Sequence, residues 1–123
     1  MANRQASSSR RRKPLKRLQA GDLTLDLAER CVIKNGEARH LTFKECALLK
    51  TFMRNDGRVL TRRRLMRDVW NTDYLGDTRT LDVHIRWLRE KIEDSPSEPV
   101  LLRTVRGVGY RFEVPEDSDR ASN

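Results

Sequence analysis

Residues 77–92 read DTRTLDVHIRWLREKI, and the apolar members Leu81, Ile85, Leu88 and Ile92 recur at steps of four, three and four. On an α-helix these positions make one stripe that has to be buried against a core. Steps of about 100° per residue place Arg79, Val83, Arg86 and Glu90 opposite the stripe, with Thr80 and Trp87 beside them. The inner face therefore demands a packed core, while the outer face mixes cations, a hydroxyl and apolar groups. In a DNA major groove Arg reads guanine edges or holds phosphate, Thr bonds base or phosphate, and Val can meet a thymine methyl. The solvated face of an ordinary amphipathic helix is the competing reading of these residues.

Such a helix needs partners, and the flanking sequence supplies them. Leu23, Leu25 and Leu27 alternate with Thr24 and Asp26, the period of a half-buried strand. Cys31 to Lys34 and Glu37 to His40 flank Asn35-Gly36, the dipeptide suited to a type I′ hairpin, so a small antiparallel sheet is predicted. Thr42-Phe43-Lys44-Glu45 matches a capping box and predicts a first helix through Leu48, Leu49, Phe52 and Met53, broken at Asn55-Asp56-Gly57. Thr61 is a good N-cap for a second helix over Arg62 to Trp70, with Leu65, Met66 and Val69 inward. Arg62, Arg63, Arg64 and Arg67 occupy its remaining surface, either as phosphate contacts or as a solvated face.

Pro96 and Pro99 end the third helix. Val100 to Val105 and Tyr110 to Val114 then flank Arg106-Gly107-Val108-Gly109, which predicts a closing hairpin. A tip carrying Arg106 and kept slim by two glycines suits a narrow minor groove, where Arg is favoured; a purely structural hairpin is the alternative. The Gly-Val-Gly run is no dinucleotide fingerprint, because a strand rather than a helix follows it.

The net charge of +8 points to a polyanionic partner, but its distribution qualifies that reading. Arg4, Arg10, Arg11, Arg12, Lys13, Lys16 and Arg17 carry nearly all of it, without a single acid among residues 1–17. The remaining chain is almost neutral, so any nucleic-acid binding by it has to come from charges sorted onto one face. The basic stretch itself lacks the means to form a core and is expected to be disordered. It can serve as an interdomain linker, an extra contact to DNA phosphate or a targeting signal. With no apolar signal core and no membrane-length run, a cytoplasmic protein without membrane contact is expected.

Cys31, Cys46, His40 and His84 match no short-range zinc spacing, so neither metal nor cofactor is expected. Asp82 and His84 diverge by about 200° on a helix and cannot form a dyad, and no nucleophile sits beside a base, which argues against an enzyme.

Taken together, the words LTFKECALLKTFMRNDGRVLTRRRLMRDVW, TRTLDVHIRWLREKIE and TVRGVGYRF closely resemble the C-terminal effector domain of OmpR/PhoB-type two-component response regulators, nearest the PhoB-like branch. The resemblance implies an α+β winged helix-turn-helix fold: an N-terminal antiparallel β-sheet, a three-helix core and a C-terminal β-hairpin wing. It divides the chain into a basic arm (residues 1–17), a winged-helix domain (18–114) and a disordered tail (115–123). The implied function is sequence-specific binding of double-stranded DNA to control transcription, with the third helix in the major groove and Arg106 at the minor groove. A winged module that binds protein or RNA is the alternative.

Carried over residue by residue, the resemblance assigns groove and phosphate contacts to Arg79, Thr80, Val83, His84, Arg86 and Arg89. Thr104 and Tyr110 fall at wing positions that touch the DNA backbone, and the backbone amide of Trp70 falls near a phosphate. Asn71, Thr72, Asp73, Tyr74, Leu75 and Gly76 correspond to the loop that meets RNA polymerase in activators, making polymerase a candidate partner. Trp87 departs from relatives that place a base-reading arginine there, and implies apolar or shape-based readout, or packing against the wing. An upstream receiver domain in the parent protein and direct-repeat sites bound head to tail are also implied, the isolated domain being monomeric.

Overall fold

A four-stranded antiparallel meander opens the chain in the computed structural model, which describes residues 16–72 and 79–115. Its strands are β1 (Arg17–Ala20), β2 (Leu23–Asp26), β3 (Cys31–Lys34) and β4 (Glu37–His40), hydrogen-bonded in that order. Asn35 and Gly36 have φ values of 54° and 78°, the two left-handed residues that a type I′ turn requires and that the dipeptide predicts. No local pattern predicts strand β1, which begins at Arg17, the last residue of the expected arm. Its four residues pair with β2, and Arg17 reaches Asp26 at 3.2 Å. So short and half-exposed a strand is defined by the edge it joins, not by its own pattern.

Helix α1 (Phe43–Arg54) starts on the expected capping box: the Glu45 amide donates to the Thr42 hydroxyl at 3.2 Å, and the Thr42 amide to the Glu45 carboxylate at 2.9 Å. Strand β5 (Val59–Thr61) follows, and the Thr61 hydroxyl caps α2 (Arg62–Trp70) by accepting from the Arg64 amide at 3.0 Å. The third helix, α3, is Arg79–Ile92. Its stripe Leu81, Ile85, Leu88 and Ile92 is buried, together with Leu48, Leu49 and Phe52 of α1 and Leu65, Met66 and Val69 of α2. Leu23, Leu25 and Val32 from the meander close the same core. Complete burial of each such side chain contributes about 1.5–3 kcal/mol, which is what makes three short helices hold together.

The closing hairpin consists of β6 (Leu102–Val105) and β7 (Gly109–Phe112), and β5 adds to it in the order β5-β7-β6. Strand β5, three residues long, is too short to show a strand period in the sequence. Its presence changes the reading of Gly109: a Cβ there would lie 2.0 Å from the Leu60 carbonyl oxygen and 2.9 Å from Thr61 Cα. Close strand approach, rather than a slim tip, requires this glycine. Gly107 keeps the tip role, with φ of 75° behind a Val108 amide that donates to the Val105 carbonyl at 2.9 Å.

The first strand of the hairpin begins at Leu102 and not at Val100, for a reason invisible in its own residues. Buried Glu93, just past α3, accepts from the amides of Val100 at 2.8 Å, Leu101 at 3.0 Å and Leu102 at 2.8 Å. Three donors that a partner strand would otherwise take are satisfied by one carboxylate.

Among the described residues no helix is long and apolar enough to cross a membrane. The arm up to residue 15, Asp77 and Thr78 of the expected third helix, the loop residues Asp73, Tyr74, Leu75 and Gly76, and the tail from residue 116 lie outside the described residues.

Candidate nucleic-acid interface

Burial of the α3 stripe turns the opposite side of that helix to solvent. Arg79, Thr80 and Arg86 are exposed, Val83 retains 39% of its surface and Trp87 42%. Arg86 approaches Glu90 only to 3.9 Å, a loose surface pair that leaves its guanidinium available to a stronger anion. His84 lies half-buried between two indoles: its ring centre is 5.0 Å from that of Trp70, at the end of α2, and 5.0 Å from that of Trp87, both edge-on. The Thr80 carbonyl can only accept, so at 2.7 Å the His84 proton sits on Nδ1. Trp87 therefore has a ring partner on its own helix. Lys44 stands over the Trp70 ring at 5.8 Å and donates to the Val69 carbonyl at 2.8 Å, closing the last turn of α2.

Three expected contact residues serve the junction between α3 and the hairpin. Arg89 is half-buried; its Nε donates to the Leu102 carbonyl and another guanidinium nitrogen to the Thr104 hydroxyl, each at 2.9 Å. Burial pulls the Arg89 pKa down, an effect countered by Tyr110 and Glu93. Exposed Thr104 still has its own hydroxyl proton to donate. Tyr110 is 5% exposed, and its hydroxyl donates to Asp82 Oδ1 at 2.7 Å. Burial, and then that bond to a carboxylate, push the Tyr110 pKa up. Arg106 is exposed at the hairpin tip, beside Gly107.

The C-terminal end of α3 is gripped by the meander. Lys34 of β3 donates to the Ile92 carbonyl at 2.8 Å, and Arg39 of β4 to the Lys91 carbonyl at 3.1 Å. Both cations sit where the helix dipole is negative and where the last carbonyls lack helical partners. Lys91 reaches back to the His40 carbonyl at 2.8 Å and to the buried Glu45 carboxylate at 2.6 Å. Burial raises the Glu45 pKa, yet the bonds from Lys91 and the Thr42 amide prevail and leave it below the ordinary value.

The arrangement is thus an exposed mixed face on α3, held from behind by the meander and flanked by a hairpin with Arg106 at its tip. The family model described as transcriptional regulatory protein, C terminal, matches residues 36–112. The chain belongs to this family, the C-terminal effector domains of OmpR/PhoB-type transcriptional regulators. The chain is 53% identical over 96 residues to the sensory transduction protein RegX3 of Mycolicibacterium smegmatis, covering 78% of this chain and 42% of that protein. It thus spans less than half the length of that curated relative. Among solved structures, the Klebsiella pneumoniae RstA DNA-binding domain in complex with the RstA box is similar, with a TM-score of 0.72 and 33% identity. That likeness covers 80% of this chain and 97% of the RstA DNA-binding domain. The Thermotoga maritima OmpR/PhoB homologue DrrB is similar at a TM-score of 0.71 and 32% identity, over 86% of this chain and 50% of DrrB. These winged-helix effector domains share the antiparallel sheet, three helices and closing hairpin described above.

Local pattern does not reveal the partners of several residues that shape this OmpR/PhoB-type domain: Asp82 with Arg62 and Tyr110, Glu93 with the amides of residues 100–102, and Glu45 with Lys91. Arg62, one of four arginines that the sequence places on the surface of α2, is half-buried and pairs with Asp82 of α3. Only Glu45 left a trace in the sequence, through its capping box.

Proposed function

We propose that this effector domain binds double-stranded DNA sequence-specifically, with α3 in the major groove and Arg106 at the adjacent minor groove. The observation that carries the reading is the exposed arc of Arg79, Thr80, Val83, Arg86 and Trp87 on a helix whose other side is locked into the core. Arg79 and Arg86 anchor phosphate or read guanine, Thr80 and Val83 meet base edges, and Trp87 supplies apolar, shape-sensitive contact instead of a bidentate bond. His84 orients the two indoles; the Trp70 amide, in the last turn of α2, is committed to helical bonding, so Trp70 acts through its ring. Thr104 offers its hydroxyl to the backbone, while Arg89 and Tyr110 act on DNA through the wing they hold.

The parent protein carries a receiver domain ahead of this domain, works in the cytoplasm and controls transcription without an enzymatic activity in this part. Direct-repeat sites are filled head to tail, and the loop that begins at Asn71 and Thr72 faces polymerase. Selection of bound sequences from random duplex DNA tests the reading and gives site, repeat polarity and the role of Trp87 together. With roughly six phosphate contacts, log K falls against log salt with a slope of about −5. A flat salt response, or selection of no consensus, would instead indicate a protein- or RNA-binding module.

A further inference from the structure

Asp82 is a carboxylate in the first turn of α3, on the helix that faces a polyanion under the reading above. Left alone there, it would repel phosphate; its partners explain its presence. One oxygen, Oδ1, receives both the Arg62 guanidinium from α2 and the Tyr110 hydroxyl from β7 at 2.7 Å. Arg62 also reaches the Tyr110 hydroxyl at 3.4 Å, and its guanidinium carbon lies 5.6 Å from the Tyr110 ring centre. Two helices and the wing therefore meet at one atom. Seven residues on, Arg89 makes a second junction, to Leu102 and Thr104 of β6, with its own guanidinium 5.7 Å from the same ring.

Two junctions about 10 Å apart along α3 fix both the distance and the tilt of a hairpin, where one would leave a hinge. Tyr110 pairs with Thr104, and Thr104 is two residues from Arg106, so the Asp82 junction lies close to the tip. We infer that Asp82 is a positioning residue for DNA recognition: through the Tyr110 hydroxyl it sets the offset between α3 and Arg106, and so couples minor-groove readout to major-groove readout. The inference rests on the proposed placement of α3 and the wing in neighbouring grooves.

The test uses the full chain and two duplexes that share the selected half-site but carry A·T-rich or G·C-rich flanks, since a narrow A·T minor groove favours Arg. Tyr110→Phe removes one hydroxyl, and Asp82→Asn keeps an acceptor oxygen but loses the charge that pairs with Arg62. Each is expected to reduce the preference for A·T flanks by about fivefold, and the double variant no further than either alone, the mark of one shared interaction. A purely structural role would weaken both duplexes by the same factor and leave the flank preference intact, which overturns the inference. Should Asp82→Asn fail to fold, Tyr110→Phe alone decides. Arg106→Ala separates the two possible failures: if it leaves the flank preference unchanged, the minor-groove placement of the wing is itself overturned.

Discussion

At the scale of single residues, the exposed arc of α3 assigns different work to neighbours that look alike in the sequence. Arg86 is open, with 78% of its side chain accessible, whereas Arg89 is drawn into the wing junction. Arg86→Ala should therefore cost about 1–3 kcal/mol in binding to the selected site, with an intact circular dichroism spectrum. Equal affinity of the two proteins for that site would remove Arg86 from base or phosphate contact. Gly109 makes an equally local demand of the opposite kind, since the Leu60 carbonyl occupies the space a methyl group needs. Gly109→Ala should lower stability by on the order of 3 kcal/mol, because the clash is with backbone and not with a movable side chain. Urea unfolding measures it, and an unchanged midpoint would contradict the β5–β7 pairing.

Elements hold one another here through their ends. The last carbonyls of α3 are met by Lys34 and Arg39 from the meander, and the chain leaving α3 is met by Glu93, which organises the start of β6. Helix termini carry unsatisfied backbone groups, so they are natural places for one element to fix another. Glu93→Gln places an amide N–H₂ against backbone donors that need an acceptor. The expected loss is about 1–3 kcal/mol, read as a lower denaturant midpoint with an unchanged slope. If the midpoint does not move, the three amides have other partners and the Glu93 junction is not the one that starts the wing. DNA binding should weaken with it, since the wing is attached at that point.

For the molecule as a whole, the pair of Glu45 and Lys91 joins the start of α1 to the end of α3. The Glu45 pKa is depressed in the folded state, so its stabilisation is fully present above the unfolded carboxylate value of about 4.3 and is lost as pH falls through the folded one. Acid unfolding should show this as a steeper loss of stability below that value than in Glu45→Gln, whose stability in that window responds less to pH. Identical acid limbs in the two proteins would show that Glu45 titrates as an ordinary exposed carboxylate.

Much of this architecture was legible because local chemistry and global fold agree. The capping box at Thr42 and Glu45, the Asn35-Gly36 turn, and the stripe from Leu81 to Ile92 each report a constraint that acts within one element. The outward arc of α3 followed from the same stripe, since burying one side of a helix exposes the other. Strands β1 and β5 left no comparable mark, because four or three residues at a sheet edge are chosen by their neighbours. Nor could the sequence separate Arg62 and Arg89, held in junctions, from Arg86, which faces solvent: an arginine's partner is another element's residue, brought near only when the chain closes. Periodicity, caps and turns, which act over a few positions, determined the helices, the first hairpin and the face that α3 leaves exposed. The convergence of Asp82, Arg62 and Tyr110, the reach of Glu93 and the need for Gly109 were decided by tertiary packing alone, because each depends on atoms distant in sequence.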